Sequence, residues 1–172
     1  MFRRRKEDNI IRAKKGNKEA FINLIEENLI SMYRVAKGIL LSQEDIDDAI
    51  QNTILLSYKN INTLKKNEFF KTWLIRILIN ECNKIYNFNK KYIDFNEIKE
   101  NYTNDEYENF DLKRAIQGLS EDLRLPIILF YFEDMQISEI ADLMNIPIGT
   151  VKSRLSRAKI KIAQFVKEEE VM

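Results

Sequence analysis

The sequence predicts an all-α protein made of two small helical domains. Along most of the 172 residues, apolar side chains recur three and four positions apart, which is the period of an amphipathic helix. No segment alternates apolar and polar residues in the manner of a β-strand. Residues 87–109 are rich in Asn, Asp, Glu and Tyr and lose the helical period. We therefore expect domains at residues 1–90 and 110–172, joined by a flexible acidic linker at residues 91–109.

The composition argues against several classes of protein. The chain has no histidine, only four glycines and no glycine-rich phosphate loop, so common catalytic and metal sites lack their usual groups. Its one cysteine, Cys82, cannot form an internal disulfide, which fits a reducing compartment. No apolar run reaches the roughly 20 residues that span a bilayer, and the arginine-rich start lacks the apolar core of a signal peptide. We expect a cytoplasmic protein that is not an enzyme and has no cofactor or metal.

Charge is balanced in total but uneven along the chain. There are 28 Lys and Arg residues against 27 Asp and Glu residues. Residues 1–18 and the last helix are basic, whereas residues 94–111 are acidic. The acidic stretch would repel DNA and would keep the two basic halves apart.

The N-terminal half predicts three helices. Asn17 is a candidate cap for a long helix from Lys18 to about Leu40, with a bend near Gly38. Ser42 is a candidate cap for the next helix, whose core face would consist of Ile46, Ala49, Ile50, Thr53 and Ile54. The polar, lysine-bearing residues 60–68 predict a loop, and residues 69–87 predict a third long helix.

The C-terminal half begins with a short predicted helix that ends at Gly118, a position that suits a left-handed cap. Ser120 would cap the next helix, where Pro126 falls early enough to be tolerated. The core of that helix would consist of Leu123, Ile127, Leu129, Phe130 and Phe132.

Residues 136–159 predict two short helices with a sharp break between them. Asn145 to Pro147 stop the first helix, whose apolar face is Ile137, Ile140, Ala141 and Met144. The second helix would bury Val151, Leu155, Ala158 and Ile162 and expose Lys152, Ser153, Ser156, Arg157 and Lys159. A buried stripe backed by donors suits a helix in the DNA major groove. On spacing alone, a solvated face of a helical hairpin explains the pattern equally well.

The amino-acid sequence of this segment resembles a motif of a known protein family. Glu139-Ile140-Ala141 and residues 149–155 are similar to the helix-turn-helix of region 4 in bacterial sigma factors. The output domain of response regulators has a similar Thr-Val-Lys run. The sequence of the N-terminal half therefore has to distinguish a sigma factor from a response regulator. A response regulator would need a receiver with a βα repeat there, and this half is predicted to be helical instead.

The N-terminal half resembles sigma region 2. Residues 45–54 are similar to region 2.2, although Asn52 replaces the usual acid and Ala49 the usual leucine. The positions that fit are Asp45, Asp47, Asp48, Gln51 and Thr53. Residues 70–77 and Asn80 are similar to regions 2.3 and 2.4, apart from Lys84, where the family often has Asp or Asn. The chain thus resembles an extracytoplasmic-function (group 4) sigma factor of the sigma-70 family.

This resemblance implies two sets of contacts for the N-terminal domain. The expected contacts with the β′ coiled coil of core RNA polymerase are made by Asp45, Asp48, Gln51 and Asn52. Contacts with the −10 element fall to Lys65, Lys66, Asn67, Phe69, Arg76, Asn80 and Lys84. The loop would capture a flipped base, with Phe69 as the stacking candidate and Asn80 able to read a base edge. Phe70, Trp73 and Cys82 are expected in the core.

In the C-terminal domain, the −35 element would be read by Lys152, Ser153, Ser156 and Arg157, with Arg157 the candidate for a guanine. Phosphates would be held by Thr150, Arg154 and Lys159, unless Arg154 pairs with Glu139. Residues 123–133 would contact the β flap. The resemblance also implies an anti-sigma factor, membrane-anchored, and an envelope-stress role.

Two other classes remain as alternatives. A stand-alone DNA-binding regulator would be a symmetric dimer that binds a palindrome without polymerase. An enzyme is disfavoured by the absence of histidine and of any clustered catalytic groups.

Overall fold

The computed structural model describes residues 2–92 and 110–169, and every regular element within those ranges is a helix. The prediction of an all-α fold is therefore confirmed. The chain divides into two compact units, residues 1–99 and 100–172. The predicted flexible linker lies outside the described residues, except for its first two residues, which belong to a helix.

The first unit contains five α-helices and two short 3₁₀ turns among its described residues. The helices are α1 (Phe2–Lys14), α2 (Lys18–Glu26), α3 (Leu29–Lys37), α4 (Gln43–Asn60) and α5 (Phe70–Tyr92). The turns, Ile61–Thr63 and Asn67–Phe69, connect α4 to α5. Asn17 caps α2 as predicted, since its side-chain oxygen accepts a hydrogen bond from the Ala20 N–H at 2.8 Å. Ser42 caps α4 through a longer bond to the Asp45 N–H, at 3.5 Å.

The prediction of one long helix from residue 18 to 40 is wrong, because Asn28 divides it. The Asn28 side chain is buried, and its Nδ2 donates to the Leu24 carbonyl oxygen at 2.7 Å. Its own carbonyl accepts from the Met32 N–H at 2.9 Å, which starts the next helix. Asparagine favours such breaks because its amide competes for backbone hydrogen bonds. The second helix then ends at Lys37, just before the predicted bend.

Helix α1 was not predicted, since its charged residues obscure a narrow apolar stripe. Ile10 is 1% exposed and Ala13 is 3% exposed. These two side chains hold α1 in the unit, where it packs against α2 and both 3₁₀ turns. A short stripe of this kind gives too weak a periodicity to be recognised from the sequence.

Helices α4 and α5 form the main packed pair of the first unit. The predicted core face of α4 is confirmed at Ile46, Ala49, Ile50 and Thr53, while Ile54 is only half-buried. The facing side of α5 buries Phe70, Leu74, Leu78 and Cys82. Helix α5 continues to Tyr92, beyond its predicted end near Asn87.

Cys82 is fully buried, as predicted, and burial raises the pKa of its thiol to about 12. The thiol therefore stays protonated near neutral pH and is unreactive while the unit is folded. Because Cys82 is the only cysteine in the chain, its reaction with a thiol reagent reports unfolding of the first unit.

The second unit consists, in its described part, of α6 (Phe110–Gln117), α7 (Glu121–Tyr131), α8 (Ile137–Met144) and α9 (Ile148–Glu169). Its core combines Leu123, Leu129, Ile140, Val151 and Leu155. The prediction that Phe132 lies in the core is wrong, since α7 ends at Tyr131 and Phe132 is 41% exposed. Leu125 and Ile128 are buried instead, while Phe130 is half-buried.

Two predicted helix ends in this unit differ from the structure. Gly118 does not have the positive φ of a left-handed cap, because the turn continues right-handed and the Leu119 N–H bonds to the Ile116 carbonyl at 3.2 Å. Ser120 does precede α7, but its hydroxyl makes no capping bond. It bonds to the carboxylate of Asp122 instead.

The predicted break between α8 and α9 is confirmed at Asn145. This residue has a left-handed backbone, with φ of 53° and ψ of 47°, and its N–H bonds to the Ala141 carbonyl. The Ile146 N–H bonds to the same carbonyl at 3.0 Å. At the other end of α8, the Gln136 N–H donates to Glu139 Oε2 at 2.9 Å, as part of a capping box.

We expect Asn145→Ala to lower the free energy of unfolding of the second unit by about 1 kcal/mol, because alanine is strained in the left-handed region. Asn145→Gly, which relieves that strain, should stay within about 0.5 kcal/mol of the parent. Urea unfolding followed by far-UV circular dichroism measures the change, while Trp73 fluorescence follows the first unit as an internal control. Equal effects of the two substitutions would show that the left-handed turn is not what matters.

Candidate polymerase and nucleic-acid interfaces

The exposed face of α4 carries three of the four predicted polymerase-binding residues. Asp48, Gln51 and Asn52 are all exposed, and Leu55, one further turn along, is 61% exposed. These positions are three and four apart and therefore share one face of the helix. A large apolar side chain beside polar ones is typical of a surface that docks against another helix. Sequence reasoning missed Leu55, although its spacing from Asp48 and Asn52 could have revealed it.

Asp45, the fourth predicted residue, is engaged within the unit. Its Oδ2 accepts a hydrogen bond from Asn89 Nδ2 of α5 at 2.8 Å. Close by, Tyr33 donates to Gln43 Oε1 at 2.8 Å, and Gln43 Nε2 donates to Asp47 Oδ1 at 2.9 Å. Asp45 thus links α4 to α5, and Gln43 links it to α3, while Asp48 shares the exposed face of α4 with Gln51 and Asn52.

The segment between α4 and α5, residues 61–69, is here called the capture loop. Its buried anchors are Ile61 and Leu64, which are 3% and 5% exposed. Lys65 and Lys66 are exposed, and the Lys66 Nζ lies 5.8 Å from the centre of the Phe69 ring. Phe69 is 46% exposed while the neighbouring Phe70 is fully buried, as predicted for both. An exposed ring beside ammonium groups is able to stack on an unpaired base and to bind its phosphate.

A groove of about 530 Å³ lies beside the capture loop, between the end of α4 and α5. Its apolar walls are Leu56, Trp73 and Ile77, and its amide groups come from Asn60, Asn80, Asn83 and Asn87. The predicted residues Asn80 and Lys84 both line it, whereas Arg76 is exposed on the same helix outside the lining residues. Trp73 is half-buried in the wall of the groove rather than deep in the core as predicted.

Asn60, Asn83 and Asn87 were not identified from the sequence, whereas Asn80 was. Asn80, Asn83 and Asn87 recur three and four positions apart, so they share a face of α5, and that spacing was a usable signal. Asn60 comes from the end of α4, and only the tertiary structure brings it to the groove. An amide offers both donors and an acceptor, so the groove is able to bind the edges of bases.

Lys84 is held at the groove by an ion pair. Its Nζ lies 2.6 Å from Oε1 of Glu81, whose side chain is 10% exposed, while that of Lys84 is 69% exposed. The predicted phosphate contact of Lys84 therefore competes with a carboxylate on the preceding turn. A net positive charge in this part of the groove has to come from side chains outside its lining, such as the exposed Arg76.

Helix α9 presents the predicted DNA-reading residues on one side and the core on the other. Val151, Leu155 and Ala158 are buried, which confirms that part of the predicted stripe. The exposed side carries Lys152, Ser153, Ser156, Arg157 and Lys159, whereas Thr150 and Arg154 are half-buried. Two of the exposed groups already have neighbours: Ser153 Oγ donates to the Thr150 carbonyl at 2.9 Å, and Lys159 Nζ lies 5.7 Å from the Tyr131 ring centre.

The arginines of α9 lie near an acid at the start of α7. The pKa of Asp122 is lowered, first by the hydrogen bond from Ser120 and then by the charges of Arg154 and Arg157. Glu139, the partner predicted for Arg154, uses its carboxylate in the capping box of α8. A carboxylate therefore lies within electrostatic range of both arginines.

Residues 2–92 and 110–169 contain neither a metal-binding cluster nor a membrane-spanning helix. No group of three or more His, Cys, Asp or Glu side chains there is placed to hold a metal ion. None of the helices in these ranges has the length and apolarity needed to cross a membrane.

Comparison with known proteins matches both halves of the chain to one family. The family model for Sigma-70 region 2 matches residues 24–90, and that for Sigma-70, region 4 matches residues 109–162. The ECF RNA polymerase sigma-E factor of Haemophilus influenzae is 30% identical over 171 residues, which cover 86% of this chain and 88% of the relative. The RNA polymerase sigma factor SigV of Bacillus subtilis is 29% identical over 168 residues, covering 92% and 99%.

The chain belongs to the extracytoplasmic-function (ECF) sigma factors of the sigma-70 family. It is a promoter-specificity subunit of bacterial RNA polymerase, and thus a transcription initiation factor. The sigma factor RpoE of Bartonella quintana, solved in complex with the anti-sigma factor NepR, shares its fold, with a TM-score of 0.70 and 22% identity over 86% of this chain and 96% of that one. The roles of individual side chains of this sigma factor stay predictions.

Phe69 and Phe70 offer a matched pair for the capture loop. We expect Phe70→Ala to destabilise the first unit by about 3–5 kcal/mol, because it empties a fully buried site. Phe69→Ala should leave stability unchanged and impair promoter opening. The rate at which Cys82 reacts with a thiol reagent measures the first effect, and permanganate reactivity of unpaired thymines measures the second. A normal opening rate in Phe69→Ala would remove the stacking role from Phe69.

For Arg157→Ala, we expect a loss of about 1–3 kcal/mol of discrimination at one −35 base pair, because Arg157 is the residue predicted to make a bidentate contact with guanine. Lys161→Ala is the control, since Lys161 is an exposed cation one turn further along α9. That substitution should weaken binding equally across sequences. Transcription from promoters with single −35 substitutions measures the effects of both variants. If Arg157→Ala weakened transcription equally from all of these promoters, Arg157 would be a phosphate contact instead of a base contact.

Proposed function

We propose that this sigma factor binds core polymerase through the exposed face of α4 and opens the −10 element over the capture loop and the adjacent groove. It reads the −35 element with α9. We further propose that it serves an envelope-stress regulon and is held inactive by a membrane-anchored anti-sigma factor. The observation that carries the proposal is the two-sided α9, with donors exposed along the side opposite the buried Val151, Leu155 and Ala158.

The polymerase contact is supported by the character of the α4 face. Asp48, Gln51 and Asn52 precede Leu55 on the same helix face, so an apolar contact would lie next to polar ones. Asp48 shares a helix face with Gln51 and Asn52, whereas Asp45 and Asp47 accept hydrogen bonds from Asn89 and Gln43. Asp48 is therefore the acid best placed to attract a basic partner helix.

The β flap contact of the second unit is supported by two exposed aromatic residues. Tyr131 and Phe132, at the end of α7, are 49% and 41% exposed. They fall within the segment for which the sequence predicts contact with the flap. Adjacent exposed rings favour a protein partner, because aromatic side chains are enriched in protein interfaces.

Control by an anti-sigma factor is supported by the likeness to RpoE of Bartonella quintana, which was solved in complex with the anti-sigma factor NepR. The envelope-stress role is supported by the relatives, which are named as ECF sigma factors and include sigma-E. An inhibitor anchored in the membrane would couple the state of the envelope to transcription.

The decisive experiment is run-off transcription with purified core polymerase on fragments of the host genome. We expect new, salt-sensitive start sites that require both components, and their upstream sequences would define the −35 and −10 elements. If core binding is absent and the free protein shifts a palindromic site as a dimer, the chain acts as a stand-alone regulator and the proposal fails.

Asp48→Arg tests the polymerase surface within the same assay. It places a cation where the proposal needs an acid, so we expect at least about a tenfold loss in affinity for core polymerase. Glu26→Arg makes the same charge change at an exposed site on α2 and should leave that affinity unchanged. Fluorescence anisotropy of the labelled protein with core polymerase gives both affinities. Equal losses would place the contact elsewhere.

The regulatory part needs a separate test. Tagged protein recovered from detergent-solubilised membranes should carry an inhibitor, and that inhibitor, once purified, should block both core binding and run-off transcription. Start sites mapped after overproduction of the sigma factor should lie upstream of genes for exported or envelope proteins. A regulon without such genes would contradict the envelope-stress role, and the polymerase assays would be unaffected.

A further inference from the structure

Lys14, in the last turn of α1, reaches into the capture loop. Its Nζ donates to the Leu64 carbonyl oxygen at 2.8 Å and to the Asn67 Oδ1 at 2.9 Å. An ammonium group has three donors and no acceptor. Two of the three donors of Lys14 are therefore used on one loop, which lies far from it in sequence.

The bond to Asn67 determines what that side chain can offer to a ligand. Asn67 is half-buried and is one of the residues predicted to contact the −10 element. Its Oδ1 accepts from Lys14, so its Nδ2 lies on the side of the amide away from the ammonium. A free asparagine presents a donor and an acceptor together. Asn67 held in this way presents donors, and it favours base edges that carry acceptors.

The bond to Leu64 fixes the backbone from which two lysines project. Leu64 is buried and has an extended backbone, and Lys65 and Lys66 follow it directly. Within the loop, the Leu64 N–H bonds to the Ile61 carbonyl and the Phe69 N–H bonds to the Lys66 carbonyl. These bonds are local, whereas Lys14 ties the middle of the loop to another helix.

We propose that Lys14 is a positioning residue that holds the capture loop ready for an unpaired base of the −10 element and directs the Asn67 donors toward an acceptor on that base. This inference rests on the proposed role of the capture loop in promoter opening. A loop that is ordered beforehand loses less conformational entropy when it binds. Because both bonds come from a charged donor, their loss should weaken base capture about tenfold.

The test measures binding of holoenzyme to single-stranded oligonucleotides of the −10 element, each with one base substituted. Lys14→Met should weaken binding of the preferred oligonucleotide about tenfold and abolish base preference at one position. That position should be the same one that Asn67→Ala affects. Lys14→Arg, which keeps the charged donors, should retain the base preference that Lys14→Met loses.

Lys15→Met is the matched control, since Lys15 is an exposed neighbour and loses the same charge. It should leave the pattern of base preference unchanged. Protection of Cys82 from a thiol reagent shows whether each variant keeps the first unit folded. A purely structural role of Lys14 would lower binding of all oligonucleotides equally, and that result would overturn the proposal.

Asn67→Asp tests the same inference without disturbing the fold. The aspartate keeps an acceptor for Lys14 but has no donor for the base, so it should remove the preference at the same position while stability is retained. Retained preference in Asn67→Asp would overturn the proposal, as would additive effects in a Lys14→Met and Asn67→Ala double variant. If wild-type holoenzyme showed no base preference at all, both the proposed role of the capture loop and the positioning role of Lys14 would fail.

Discussion

The first unit depends on the close packing of α4 against α5. Small polar residues make this possible, because Thr53 and Ser57 are fully buried and satisfy their hydroxyl groups within their own helix, on the Ala49 and Ile54 carbonyls. Opposite them, α5 buries an apolar face that begins at Phe70. Once this pair is packed, the exposed face of α4 and the groove beside α5 are parts of one rigid frame, and their side chains are positioned by the same core.

The candidate binding surfaces are fixed by hydrogen bonds as well as by the core. Asn89 holds Asp45, Glu81 holds Lys84, and Lys14 holds the capture loop. Each bond restricts a polar or charged side chain that would otherwise move freely in solvent. Such restriction lowers the entropic cost of binding a large partner.

Much of the fold was readable from local patterns. The Asn17 cap, the core stripe of α4, the break at Asn145 and the burial of Phe70 all depend on residues close together in sequence. The errors arose where a polar side chain forms a hydrogen bond that competes with the expected helix geometry. Asn28 breaks a helix whose apolar period continues through it, and Ser120 gives its hydroxyl to Asp122 instead of the helix end.

The sequence by itself determined the helical class, the family resemblance and the two-sided character of α9, because helical period and motif spacing are local properties of the chain. Only the tertiary structure showed that α1 belongs to the first unit, that Asn60 joins Asn80 in a groove and that Lys14 holds Leu64 and Asn67. These features join residues far apart in sequence, whose proximity arises from packing and leaves no periodic signal.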